Sequence, residues 1–145
     1  MDPLDLTKKP PRGPRETVNG IVMMARTIDK VRGGLPGGNP GEYRLPGFSK
    51  TLLDELRIDE EVFRKVVADA KSDDDVARWL SENTDRSRYE DINRDWLQES
   101  VEGYSDKFFE RYPVARKYNL TNAFDVLEYD DRESFGVAHP ARSSP

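Results

Sequence analysis

Asp29, Tyr43 and three arginines, Arg15, Arg26 and Arg32, are the residues whose types and spacing could do chemistry in this chain. A guanidinium is a planar fork of N–H donors that matches a carboxylate or phosphate, so three of them gathered together would hold an anion. A carboxylate among apolar neighbours is a candidate general base, and a phenol beside it a hydrogen-bond donor or acid. Asp29 and Tyr43 take those two catalytic roles in this reading, and Arg15, Arg26 and Arg32 bind the ligand's charge.

The element that must position them is a first helix. Helical periodicity starts near Thr17 and runs to about Arg32, where Gly33 and Gly34 supply a C-terminal stop. On a helical wheel Val18, Ile21, Val22, Ala25 and Ile28 form the core-facing arc, while Asn19, Arg26 and Lys30 gather on the polar side. Asp29 falls between Val22 and Ala25, and Arg32 also lies inside the arc. A buried carboxylate without partners is strongly disfavoured, so either the end of the stripe opens to a cleft or Asp29 pairs with Arg26, Arg32 or an arginine of the preceding segment, Arg12 or Arg15. That segment, MDPLDLTKKPPRGPRE, holds four of the ten prolines and reads as an extended arm over 1–15. After the helix comes a connection in which five of the nine residues 33–41 are glycine, enough to permit close backbone approach or motion. Phosphate cradles place glycine before a helix, whereas this loop follows one, and no GK[ST] is present.

Two further chemistries start from the same residues. Lys30, four residues from Arg26, would be an amine nucleophile if a like charge destabilised its ammonium, although the polar face favours solvation. Asp73, Asp74 and Asp75, and Glu128, Asp130, Asp131 and Glu133, offer oxygen ligands without calcium-loop spacing. Helix capping accounts for the first group and a solvated turn for the second, so neither a metal nor a cofactor is expected.

Downstream, Ser49 is placed to cap a short helix through Leu56. A boundary near Asp59 opens a helix with Val62, Phe63, Val66, Val67 and Ala70 on one face. Ser72 and the aspartates behind it start another, carrying Val76, Trp79 and Leu80. A longer helix is expected from Tyr89 to Arg111, with Leu97, Val101, Tyr104 and Phe108 as its stripe and Ile92 and Trp96 on a different face. Pro113 ends it; Thr121 caps a last helix to about Tyr129, and DDRESFG reads as a turn. The fold class is therefore all-α, about six helices in a single domain over 1–136, with 137–145, including His139, expected to be a mobile tail.

Composition narrows the function classes. Residues 1–48 carry eight Lys/Arg against five Asp/Glu, a balance of +3 that leaves −8 elsewhere to give the net −5. With a pI near 5.0, a broad nucleic-acid surface is excluded while a local anion site is not. No cysteine is present and only one histidine, which removes thiolate sites and imidazole clusters. The longest apolar run, IVMMA at 21–25, cannot span a bilayer, and the acidic start is no signal peptide, so a soluble, cytoplasmic protein is expected.

PPRGPRE at 10–16, ARTIDKVR at 25–32, GEY at 41–43 and DDDVARWL at 73–80 resemble an uncharacterised bacterial family catalogued as a domain of unknown function, of the DUF5069 type. The resemblance extends to about Gly136, and its specific part is the first third. Pro11, Arg12, Pro14, Arg15, Arg26, Asp29, Lys30, Arg32, Gly41, Glu42 and Tyr43 carry it. LPGFSKTLLDEL departs, lacking an acid that family members often have before the short helix. The resemblance implies a helical domain and no particular reaction. The reading that follows is an anionic small molecule bound by the arm, first helix and glycine loop, with acid–base chemistry left open. The alternative is a non-catalytic module docking a protein partner through the same arm and loop.

Overall fold

Asn19 and Gly20 decide where the first helix begins. Both have positive φ, 54° and 73°. This is the paired left-handed geometry of a tight hairpin turn, for which Asn-Gly is the preferred dipeptide. The turn folds Val18 against Ile21 through reciprocal backbone hydrogen bonds of 3.0 and 3.4 Å, and helix α1 occupies only Met24–Gly33. The expectation of helix from Thr17 is corrected accordingly.

The computed structural model describes residues 1–137. Its remaining helices are Phe48–Glu55 (α2), Glu60–Asp69 (α3), Asp73–Asn83 (α4), Tyr89–Leu97 (α5), Asp106–Arg111 (α6), Val114–Lys117 (α7) and Ala123–Ser134 (α8), with a 3-10 turn at Arg86–Arg88. The described residues are thus all-α with isolated bridges in place of a sheet, six helices being of eight residues or more and two shorter. No helix among them is long and apolar enough to cross a membrane. The expected tail lies, beyond Val137, outside the described residues, as does His139.

Several local expectations change for identifiable reasons. Asp59 caps α3 as its position demands, accepting from the Val62 N–H at 3.0 Å. Ser49 is not a cap: it lies within α2, fully buried, and its hydroxyl accepts from Thr27 of α1 at 3.0 Å. Ser72 precedes α4 without a capping bond; instead Asp75 reaches back to the Lys71 N–H at 2.8 Å. The helix expected over Tyr89–Arg111 breaks after Leu97, whose side chain is exposed. Gly103 turns the chain with φ 83°, and Ser100 bridges to Asn122 instead. Asn122, not Thr121, caps α8 by accepting from Asp125 N–H at 3.1 Å, and the helix continues through the sequence read as a turn.

Two apolar clusters result. The larger is built on Ile21, Met24, Ile28, Leu52, Phe63, Leu80 and Trp96; the smaller, on Val101, Val114, Ala123 and Val126, packs α6, α7 and one face of α8. Phe48 and Tyr112 touch both. The arm crosses the end of α1: Leu6 is buried and its N–H donates to Asn39 O at 2.8 Å. Gly38 makes that crossing possible, because a Cβ there would stand 2.8 Å from the carbonyl oxygens of Arg32 and Gly33 and 2.9 Å from that of Leu4.

Candidate functional site

Helix α1 is covered on nearly every side, so its polar residues are buried with the apolar ones. Arg26 is 2% exposed and Asp29 4%. Arg26 thus departs from the polar side where the wheel placed it: the arm, α8 and the segment around Tyr43 all close over that face. The charge is held by Asp131 of α8, which accepts from Nη1 at 2.7 Å and Nη2 at 3.0 Å, while the Arg12 carbonyl accepts from Nη1 at 3.3 Å. This is a bidentate fork, the strongest geometry available to the pair. The Tyr43 hydroxyl donates to the same carboxylate at 3.0 Å, and the guanidinium lies 5.4 Å from the Tyr43 ring centroid. Burial works against the Arg26 charge, and Asp131 more than offsets it, so the pKa is raised. Burial and the Asp131 charge also raise the Tyr43 pKa, keeping the phenol protonated as a donor. Arg26 Nε is buried with no hydrogen-bond acceptor among the described residues.

Asp29 finds its partner in the arm. The Arg12 backbone N–H donates to Oδ2 at 2.8 Å, Nε to Oδ2 at 3.1 Å and Nη2 to Oδ1 at 3.1 Å; Arg32 approaches Oδ1 at 3.6 Å. Arg12 also spans to Asp73 of α4 at 2.6 and 3.1 Å. Its pKa is raised, first by the Asp73 hydrogen bond and then by Asp29.

The five sequence candidates therefore divide. Asp29 and Arg32 border an open hollow of about 940 Å³ between the arm and the start of α4. Arg26 and Tyr43 line a more enclosed cavity of about 320 Å³. Arg15 belongs to neither: it pairs with Asp125 at 3.0 Å and with Glu128 on the outer face of α8.

The 320 Å³ cavity lies at the seam of the two apolar clusters, walled by Phe48, Phe108, Tyr112 and Leu127. Four cationic side chains, Arg26, Lys30, Arg44 and Arg111, line it with one carboxylate, Glu42. Lys30 is a correction to the solvated position expected for it. It is half-buried, makes no hydrogen bond or ion pair among the described residues, and its pKa is pushed down to about 7. Burial is the main cause, Arg26 and Arg111 add to it, and Asp131 opposes it. Arg111 is fixed over the Tyr112 ring at 4.8 Å and donates to the Glu42 carbonyl at 3.4 Å. Chemically, the cavity joins an unpaired amine, exposed guanidinium groups and flat aromatic walls.

Sequence reasoning put Asp131 in a solvated turn and not beside Arg26, and did not single out Arg111 or Tyr112. Asp131 had a legible signal: Phe124, Leu127 and Asp131 recur at i, i+3 and i+7, which places an acid on the buried stripe just as Asp29 is placed on that of α1. Arg111 and Tyr112 follow from the α6–α7 fold and had no local signal. The two acidic groups considered for metals have structural explanations here, since Asp73 holds Arg12 and Asp131 holds Arg26.

The described residues thus form an all-α domain whose first helix is tied by ion pairs to the arm and to α8. The chain belongs to the family described as "Domain of unknown function (DUF5069)", whose profile matches residues 8–133. A search of curated proteins returns no match.

Proposed function

We propose that the protein binds an anionic small molecule in the cavity between α1, the 42–48 segment and the end of α6. The supporting observation is that Arg44, Arg111 and the amine of Lys30 gather beside the Asp131-paired Arg26, with Glu42 as the one lining carboxylate, in a partly enclosed, aromatic-walled space. The Nη groups of Arg26 are taken by Asp131, so its charge contributes field and position. The exposed Arg44, and Arg111 through the N–H groups it does not give to Glu42, are placed to contact the ligand, with Lys30 inside. The volume suits a ligand near the small end of the usual range for binding pockets, about 300–1,000 Å³. Within this reading Tyr43 positions Arg26 by way of Asp131. Asp29 and Arg32 fasten the arm, and Arg15 fastens the outer face of α8. Of the five residues expected, this reading keeps Arg26 at the ligand site and adds Lys30, Arg44 and Arg111.

A thermal-shift series with inorganic phosphate, sulfate, glyoxylate and pyruvate tests it. A ligand at a hundred times its Kd stabilises by about 2.7 kcal/mol, which for a domain of this size is a rise on the order of 5–10 °C. Arg111→Gln and Arg44→Gln should each lower that response while leaving the ligand-free Tm in place. No response to any anion, together with a protein partner recovered in a pull-down that depends on residues 10–43, would instead favour the docking module.

A further inference from the structure

Lys30 is the group that anion binding alone does not explain. A fourth cation held only for its charge would be best served by an arginine or a paired lysine, yet this amine has no hydrogen-bond acceptor or counter-ion within contact distance among the described residues. It projects from the same helix as Arg26, one turn further on, into a space that also receives Arg111 from the end of α6. We infer that Lys30 is a nucleophilic amine that condenses with the aldehyde or ketone carbon of a small anionic carbonyl compound, whose charge Arg44 and Arg111 hold. This rests on the anion-binding reading of the cavity and names the ligand's chemical class.

The groups around the amine set its reactivity. On its own helix it faces Arg26; from α8 it faces Asp131, with Asp130 beside it; from the end of α6 it faces Arg111 and the neighbouring Tyr112. The 42–44 segment adds Glu42, the protonated Tyr43 phenol and Arg44. Asp131 is the acid that would otherwise keep Lys30 charged, and it is occupied by Arg26 and Tyr43. Burial, reinforced by Arg26 and Arg111, outweighs the pull of that carboxylate and pushes the Lys30 pKa down to about 7. A lysine in water, with a pKa of about 10.4, is neutral to less than ~0.1% at pH 7. Desolvation beside cationic groups is a general way of preparing a lysine for attack on a carbonyl.

The step balances without an oxidant or reductant. The Nζ lone pair forms a bond to the carbonyl carbon as the C–O π pair moves to oxygen. One proton passes from nitrogen to that oxygen through solvent in the cavity, giving a carbinolamine. The hydroxyl oxygen takes a proton from solvent, the nitrogen pair closes the C=N bond as the C–O bond breaks and water departs, and the resulting iminium returns its remaining N–H proton to solvent to give the imine. One water is released for each imine formed.

The test uses the full chain, glyoxylate as the anionic aldehyde, glycolaldehyde as its uncharged counterpart, and cyanoborohydride to reduce the imine to a stable secondary amine. Peptide mass spectrometry then gives the rate at each lysine. Glyoxylate should modify Lys30 at least ~10-fold faster than the exposed Lys65 at pH 7, with the rate rising through a midpoint near pH 7. The preference should be smaller for glycolaldehyde, and should fall in Arg111→Gln and Arg44→Gln, both substitutions of exposed side chains. Lys30→Arg should abolish the adduct at that position. Modification of Lys30 no faster than Lys65, or equal preference for the two aldehydes, overturns the inference. Thermal shift with inorganic phosphate on the same sample separates the two claims: stabilisation without selective modification leaves anion binding standing and removes the amine chemistry, while the absence of both removes both.

Discussion

The Arg26–Asp131 and Arg12–Asp29 pairs both tie α1 to a distant part of the chain with bidentate or multiple hydrogen bonds, yet they sit in different surroundings. Arg26 and Asp131 are 2% and 9% exposed at the side chain, whereas Arg12 is 30% exposed and shares itself with Asp73. The first pair closes the wall of a 320 Å³ cavity and leaves Lys30 beside it without a counter-ion. The second lies on the rim of an open hollow and satisfies every charge it touches. Equal chemistry thus gives two outcomes. Where both ions of a pair are sealed, their neighbours feel a low dielectric and an unpaired amine can be held partly neutral. Where the arginine reaches water, the pair is a fastening for the arm.

That contrast is broken most forcefully by truncating the sealed pair. Arg26→Ala leaves Asp131 buried with only the Tyr43 hydroxyl as donor, and should cost about 3–5 kcal/mol in urea unfolding. Arg12→Ala should cost less, about 2–3 kcal/mol, because Asp29 keeps Arg32 nearby and water reaches the rim. The order of the two losses is the sharper statement, and equal losses would erase the distinction.

A third variant acts on the same region through protons. Burial raises the Asp130 pKa from 3.8 to about 6, with Arg111 opposing and Asp131 reinforcing the shift. Between those values the folded protein binds more protons than the unfolded chain, so the ionised carboxylate costs stability that is fully expressed above pH 6 and disappears below about pH 4. Asp130→Asn should therefore stabilise by roughly 1–2 kcal/mol at pH 7 and by progressively less as the pH falls through 6 towards 4. Denaturant titrations at pH 4, 5, 6 and 7 measure it. The smallest effect belongs to the exposed Lys50–Asp54 pair of α2, where Lys50→Ala should change stability by no more than about 0.5 kcal/mol.

What was legible in the sequence follows the same division between local and distant causes. The apolar spacing of Phe63 and Val67, and of Val76 and Leu80, places α3 and α4, and Asp59 marks a helix start, because each of these is decided within one or two turns of chain. The Asn19–Gly20 turn was equally local and was overridden by a helical pattern that happened to continue through it. The candidate site was legible in part: Asp29 needed an arginine, and Arg12 of the arm supplies one. Arg26 and Lys30 lie on the polar side of an isolated helix, and only the arm, α8 and the 42–48 segment make that side an interior. No periodicity in α1 encodes what will cover it.

The central claim is that α1 holds an unpaired amine in a cationic cavity that receives an anion. Following the Lys30 side chain by NMR across pH, with and without inorganic phosphate, tests it most directly. The account predicts a titration midpoint near 7 in the free protein, moving upward when phosphate binds, because an anion beside the ammonium favours its charged form. A midpoint at the ordinary lysine value of 10.5, unmoved by phosphate, would contradict it.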